Sequence, residues 1–223
     1  MTRIAVTFAL PAESSEFLRR LGNKSRANRN GIRIVHGTIG HRSIEVIHTG
    51  VGENICRQRI GRFLENQQFD FLISAGFAGS LNHELQVNDL LVAKNFSTVD
   101  LKHASLSNVS IYAANMLTVS ALIDSGEERE RIAHESGAAA VDMETEFIAR
   151  ACATHGIPLL ALRVHGDQRQ PPSTERRGAA SFAQIFQAEC HSGVRIACRE
   201  THDVSSCTKL YAVARSRWLR APS

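Results

Sequence analysis

The sequence predicts an α/β protein in which helices cover both faces of a central mixed sheet, giving three layers. Strand-like apolar segments alternate along the chain with amphipathic helical segments. Residues 69–74 and 159–164 are predominantly apolar, which predicts strands buried on both faces. With 223 residues, 43% of them hydrophobic, the chain is long enough to bury one large core.

Each predicted element has a local reason. Pro11 suits the first turn of a helix, Gly40 suits a hairpin turn, and Gly156 followed by Pro158 ends a helix. Cys56, Ile60 and Phe63 repeat at helical spacing after the Gly50–Gly52 turn. The predicted strands are residues 3–9, 32–37, 43–48, 69–74, 89–93, 117–121, 138–141 and 159–164, and the predicted helices are residues 11–21, the segments following Gly52 and Glu144, and residues 181–199.

Composition and charge narrow the function. The formal net charge is +4, and residues 200–223, which we expect to form a basic, solvated tail, supply half of it. With only 6% aromatic residues, the sequence argues against a nucleic-acid partner. The chain lacks an apolar run of about 18 residues, and its first residues do not resemble a signal peptide. We therefore expect a cytoplasmic protein with no membrane partner.

The cysteines and histidines indicate neither a metal nor a cofactor. The five cysteines form no C-x-x-C pair, and the ten histidines show no ligand spacing with a carboxylate, so we expect buried thiols and no metal site. The glycine-rich stretch at residues 74–79 does not match the dinucleotide-binding fingerprint. No cofactor is expected.

Glycines and carboxylates gather where predicted strands end. In open α/β sheets, ligands bind beyond the carboxyl ends of the strands, so these segments should form one site. Any one of them has a purely structural explanation; Glu13, for example, suits the positive end of a helix. The five segments are Glu13, Gly50–Gly52, Gly76–Gly79, Met143–Glu144 and Gly166–Asp167.

The order of these motifs resembles the nucleoside phosphorylase and nucleosidase superfamily. Val141–Glu144 is followed about twenty residues later by Arg163–Asp167, and Ala9–Glu13 matches the family's first strand exit. Thr49–Gly52 and Leu72–Leu81 match its ribose-side turn and central signature. The branch most similar contains methylthioadenosine/S-adenosylhomocysteine nucleosidase and futalosine hydrolase. The resemblance implies a nucleoside phosphorylase-like fold in a single domain, residues 1–199.

The resemblance also implies a role for each site residue. Glu13 would deprotonate the attacking water, and Asp167 would protonate N7 of the purine. Arg163 would support the acidic cluster. The resemblance implies that Val51 and the turn formed by Phe77, Ala78 and Gly79 line the site. Met143 would pack on the sugar, and Glu144 would accept hydrogen bonds from the ribose hydroxyls. Relatives are dimers or larger, so a homodimer is expected.

The expected activity is that of a purine nucleosidase, an N-glycosyl hydrolase that splits a 5′-modified purine nucleoside into free base and sugar. The substrate would resemble methylthioadenosine, S-adenosylhomocysteine or futalosine. A phosphate-dependent phosphorylase is disfavoured, because residues 9–13 and 72–79 contain no Arg or Lys and Glu13 would repel phosphate. A catalytically silent nucleoside-binding protein stays open, since the segment between Asp100 and Leu117 is shorter than in relatives.

Overall fold

The computed structural model describes residues 1–81, 85–86, 89–100, 111–165 and 197–198. The strands are β1 (Arg3–Phe8), β2 (Gly22–Arg29), β3 (Ile32–Ile39), β4 (Arg42–His48), β5 (Phe71–Ser80), β6 (Leu90–Ala93), β7 (Val99–Asp100), β8 (Ile111–Ala114), β9 (Met116–Thr118), β10 (Ala140–Asp142), β11 (Leu159–His165) and β12 (Ala197–Cys198). The helices are α1 (Pro11–Arg20), α2 (Glu53–Leu64), α3 (Gly126–Ser136) and α4 (Thr145–His155). None of these four helices is long and apolar enough to cross a bilayer.

The central sheet is mixed, as predicted. Its strand order is β2-β3-β4-β1-β5-β11-β6-β8. Strands β4, β1, β5 and β11 run parallel to one another. The pairs β2–β3, β3–β4 and β11–β6 are antiparallel, and β6 pairs with β8 in parallel. The far end of β5 also pairs with β10, which in turn pairs with β9. The carboxyl ends of the four parallel strands therefore meet at one edge of the sheet.

Helices lie on both faces of this sheet, which confirms the three-layer prediction. Alternate residues of β1 point to opposite faces because side chains alternate along a strand. Val6 packs in one apolar cluster with Phe17 of α1. Ala5 packs in another with Ile60 of α2 and Ile148 of α4. Thr7, two residues after Ala5, therefore faces the side of α2 and α4.

Several predicted elements are wrong in extent or kind. The turn predicted at residues 77–79 is strand, because β5 continues through them, pairing with β11 and then β10. The strand predicted at 117–121 ends at Thr118. Residues 197–198, predicted as helix, pair as β12 with β7; the rest of that predicted helix, like the tail, lies outside the described residues. Strand β2 and helix α3 were not predicted.

Strand β2 forms an exposed edge of the sheet. All of its residues except Arg29 are exposed, and among the described strands it pairs with β3 alone. One ion-pair cluster ties it to the body: Glu45 on β4 accepts from Arg29 Nη2 at 2.9 Å and from Arg3 Nη2 at 2.8 Å. Because the Glu45 side chain is buried, its two oxygens hold three strands together through charge-assisted hydrogen bonds.

Candidate active site

A pocket of about 220 Å³, partly open to solvent, lies at the carboxyl ends of β1, β4, β5 and β11. Its walls include four residues predicted for the site, namely Glu13, Phe77, Glu144 and Arg163. Thr7, Thr49 and Ser74 add hydroxyl groups to it. The structure therefore brings together segments that are far apart in the sequence, as the strand-end argument predicts.

Glu13 enters the pocket from the first turn of α1. Its Oε2 accepts a hydrogen bond from Leu10 N at 2.9 Å, and its carboxylate lies beside Gly76, where a Cβ atom would be 3.4 Å from Oε1. Burial raises the pKa of Glu13 above its ordinary value, although the N–H of Leu10 and the charge of Arg163 act against the increase. A carboxylate whose pKa is shifted toward neutrality suits general-base catalysis.

The start of α1 is held by Ser14, the residue after Glu13. Ser14 Oγ donates to Pro11 O at 3.0 Å and lies 2.8 Å from Nε2 of His48, at the end of β4. This contact fixes the helix that carries Glu13 against the parallel part of the sheet.

Glu144 faces the pocket from the N-cap position of α4. Its Oε1 accepts from Gly52 N at 2.9 Å, and Gly52 has a φ of 85°, a conformation that favours glycine. Burial raises the pKa of Glu144 from its ordinary 4.5 to about 7, and the neighbouring Asp142 carboxylate adds to this, while Gly52 N and Arg163 oppose it. Glu144 Oε2 accepts no hydrogen bond from the described residues, so it is available for a ligand hydroxyl.

The raised pKa of Glu144 predicts how stability depends on pH. The pKa of this carboxyl group is higher in the folded than in the unfolded protein. Its contribution to the free energy of unfolding is therefore fully present below pH 4.5 and is lost as pH rises through about 7. Glu144→Gln should remove this loss and make the variant more stable than the wild type at pH 8, by about 1–2 kcal/mol after allowing for solvent screening. Denaturant unfolding of both proteins at pH 5 and pH 8 measures this difference in the free energy of unfolding.

The matched control for this experiment is Glu127→Gln, which changes an exposed carboxylate in the first turn of α3. It reports the effect of the chemical substitution away from the pocket. If Glu144→Gln gained no stability over the wild type on going from pH 5 to pH 8, the burial of a charged Glu144 would not be costly and the assignment would be wrong.

Beneath the two glutamates lies a buried ion pair between Asp142 and Arg163. Their side chains are 1% and 4% exposed, and Arg163 Nη2 is 2.8 Å from Asp142 Oδ2. Asp142 Oδ1 also accepts from Thr118 Oγ1 at 2.8 Å, and Oδ2 accepts from Thr145 Oγ1. The strand end that carries Asp142 is thereby joined to β9, α4 and β11.

Every nitrogen of the Arg163 guanidinium donates to a protein acceptor. Nε donates to Asp142, and Nη1 donates to the carbonyls of Ser74 and Leu162. The two N–H groups of Nη2 are shared among three acceptors, Asp142 Oδ2, Ser74 Oγ and Thr145 Oγ1. A guanidinium has five N–H donors, so none is left for an anion in the pocket. Arg163 acts on the site through its charge, which opposes the increase that burial causes in the pKa of both glutamates.

The two thiols in the described ranges, Cys56 and Cys152, do not offer a nucleophile. Cys56 lies behind Glu144, with Sγ 3.9 Å from its carbonyl oxygen, and burial raises the pKa of Cys56 to about 12. Burial raises the pKa of Cys152 to about 12 as well. Both are free thiols, and the described part of the chain contains no cluster of three metal-ligating side chains.

Comparison with known proteins then identifies the family. A sequence profile of the phosphorylase superfamily matches residues 3–114 and 102–199. The chain belongs to the phosphorylase superfamily. Similar solved structures include futalosine hydrolase of Helicobacter pylori, with 20% identity, a TM-score of 0.71, and coverage of 84% of this chain and 97% of that one.

Two further members of similar structure are nucleosidases. The 5′-methylthioadenosine/S-adenosylhomocysteine nucleosidase of S. pneumoniae has 20% identity and a TM-score of 0.70, covering 84% of this chain and 99% of that one. The Campylobacter jejuni enzyme of the same name has 15% identity and a TM-score of 0.71, and the match covers 87% of this chain and 100% of that one. At these identities the likeness is one of fold, and it agrees with the predicted nucleoside phosphorylase-like architecture.

The other residues that the sequence predicts for the site either do not line this pocket or lie outside the described residues. Val51 is 43% exposed, and Met143 is half-buried. Ala78 packs in an apolar cluster with Leu91, and Gly79 pairs with Val141, so neither lines the pocket in the described part of the chain. Asp167 lies outside the described residues.

Sequence reasoning did not select Asp142, Ser74 or Thr7. Asp142 belongs to the Val141–Glu144 motif, but its role depends on a contact with Arg163, 21 residues later. Ser74 and Thr7 belong to buried strands, where the available signal was a hydroxyl residue in an otherwise apolar run. All three lie on or directly below the pocket floor.

Proposed function

We propose that this superfamily member hydrolyses the N-ribosidic bond of a 5′-modified purine nucleoside, releasing free base and sugar. The observation that carries the proposal is the buried Glu13 carboxylate, held in a pocket with Glu144 and with a cation whose donors are all engaged. Such a pocket can activate water and stabilise a sugar cation.

The chemistry assigns a task to each group. As the C–N bond breaks, its electron pair leaves with the purine and the sugar gains oxocarbenium character, as in other glycosyl transfers. Water oxygen bonds to the anomeric carbon and gives a proton to Glu13. The carboxylates stabilise the positive charge that develops in the transition state. Glu144 accepts hydrogen bonds from the ribose hydroxyls through its available oxygen.

This pocket is better suited to water than to phosphate as the nucleophile. Phosphate recognition needs charge-assisted donors around a dianion. Of the described residues that line the pocket, Arg163 is the one cation, and its N–H groups are all occupied. Glu13 adds negative charge where a phosphate would lie. A phosphorylase reaction therefore finds no binding site among these groups.

The remaining roles follow from the motifs. We assign Asp167 to protonation of the purine at N7, Met143 to packing on the sugar, and Phe77 to the pocket wall. We assign Val51, Ala78 and Gly79 to substrate contacts outside the pocket formed by the described residues. The solved structures of similar fold are named as futalosine hydrolase and methylthioadenosine/S-adenosylhomocysteine nucleosidases, which supports a 5′-modified purine nucleoside as substrate. No cofactor takes part in this scheme.

We further propose that the protein works as a cytoplasmic homodimer. The free thiols of Cys56 and Cys152 agree with a reducing compartment. Leu10 and Val51, which adjoin the pocket residues Ala9 and Thr49, are 46% and 43% exposed. Contact with a second copy would bury such apolar side chains beside the pocket mouth.

The test is a panel of 5′-substituted adenosines, inosine and futalosine, incubated with and without phosphate and resolved by chromatography. We expect release of free base and free ribose derivative at the same rate in both conditions. Release that requires phosphate, with a ribose 1-phosphate as product, would overturn the proposal in favour of a phosphorylase. Binding of nucleoside without release would identify a silent binder.

A further inference from the structure

The floor of the pocket contains a hydroxyl group for which the described residues provide no partner. The side chain of Thr7 is fully buried, at 0% exposure, and Thr7 lines the pocket. Its Oγ1 makes no hydrogen bond to any residue in the described ranges. Burying a hydroxyl without a partner is costly in free energy, so native structures normally satisfy such groups with protein or with ordered water.

A second hydroxyl lies beside it. Thr7 and Ser74 are directly paired residues of the neighbouring parallel strands β1 and β5, which places their backbones about 4.8 Å apart. Both line the pocket. Ser74 Oγ accepts from Arg163 Nη2 at 3.0 Å, which leaves the Ser74 proton for another acceptor. The floor therefore presents one polarised donor and one unpartnered hydroxyl.

The Glu13 carboxylate completes this arrangement. It lies beside Gly76, two residues after Ser74 and on the same face of β5. Residues i and i+2 of a strand are about 6.7 Å apart, and one water molecule bridges two oxygens up to about 5.6 Å apart. A small tilt of the two side chains therefore allows one water molecule to bind both Ser74 Oγ and the Glu13 carboxylate. A side chain at position 76 would fill this space.

We propose that Thr7 is a positioning residue whose hydroxyl, with that of Ser74, binds the water molecule that Glu13 deprotonates. The inference rests on the proposed hydrolysis. Ser74 donates to one lone pair of the water, and the water donates one proton to Thr7 Oγ1 and the other to Glu13. The second lone pair then points away from the floor, toward the anomeric carbon of a sugar that enters from the open side of the pocket.

The decisive variant is Thr7→Val, which keeps the shape of the side chain and removes the hydroxyl. We expect kcat to fall about 10- to 100-fold, the range expected for losing one hydrogen bond in a buried site, with KM almost unchanged because the substrate contacts remain. Thr7→Ser retains the hydroxyl and should recover most of the rate. A Thr7→Val enzyme with the kcat of the wild type would overturn the proposal.

The matched control is Thr98→Val. Thr98 Oγ1 accepts from Leu159 N at 2.8 Å, outside the pocket, so its loss should lower the melting temperature by roughly 2–4 °C and leave kcat unchanged. Thr7→Val should not raise the melting temperature, because it gives up a satisfied hydroxyl. A rise of that size would mean that Thr7 binds no water.

A crystal structure separates this proposal from the proposed function. An ordered water within about 3.2 Å of both Thr7 Oγ1 and Ser74 Oγ, absent in Thr7→Val, supports the site even if no nucleoside of the panel is hydrolysed. In that case the water site stands and the proposed activity fails. If base is released but no water is found at the floor, the activity stands and the role of Thr7 is overturned.

Discussion

Glu13→Gln should lower kcat for base release by about 10²- to 10⁴-fold, the contribution of a positioned general base. The glutamine carbonyl can still accept the hydrogen bond of Leu10 N, so the start of α1 should keep its conformation. The amide cannot take the proton of the attacking water, and it carries no charge to stabilise the sugar cation. Steady-state kinetics with the best nucleoside of the panel measures the loss.

The control in the same helix is Glu16→Gln. Glu16 forms an ion pair with Arg19 and does not line the pocket. It should leave kcat unchanged, since surface pairs of this kind contribute little. Residual activity of Glu13→Gln within about threefold of the wild type would exclude Glu13 as the base, because even modest general-base catalysis exceeds that factor.

Asp142→Asn should destabilise the fold by about 3–5 kcal/mol. The substitution leaves the Arg163 guanidinium buried without its counter-ion, which is among the most costly single changes in a protein interior. The corresponding decrease in melting temperature is roughly 6–20 °C for a chain of this length. Asp124→Asn, at an exposed position before α3, serves as the control for the same chemical change.

A double-mutant cycle tests whether the two charges act as one unit. Arg163→Met removes the cation, and the Asp142→Asn/Arg163→Met protein should be more stable than the sum of the single effects predicts, by about 1–3 kcal/mol. Denaturant unfolding of the four proteins provides the comparison. Additivity within about 0.5 kcal/mol would show that Asp142 and Arg163 are not coupled.

The sequence predicted the buried parallel strands and their exits well, because their signals are local. Continuous apolar runs and the glycines and carboxylates that follow them identified β1, β5 and β11 and placed Glu13 and Glu144 at one edge. Strand β2 gave no such signal, since its residues are exposed on both faces and lack apolar alternation. It exists because the edge of β3 offers backbone partners.

The remaining differences have the same physical origin. The Gly76–Gly79 segment is typical of a turn, yet it stays extended because β11 pairs with its first three residues and β10 pairs with Gly79. Helix α3 buries no residue, so it lacks an amphipathic pattern; its signals were the Ser125 cap and Gly137, whose φ is 64°. The Asp142–Arg163 pair joins distant segments, which no local pattern encodes.

The exposed strand β2 restricts how copies of this protein can associate. Within the described part of the chain, the outer edge of β2 pairs with no other strand, and such an edge is the usual starting point for sheets that join edge to edge. If two copies paired through β2, Lys24 and Arg26 of each would meet the same side chains of the other, and Coulomb repulsion would oppose the contact. These charges therefore oppose edge-to-edge growth of the sheet and favour a different surface for the proposed dimer.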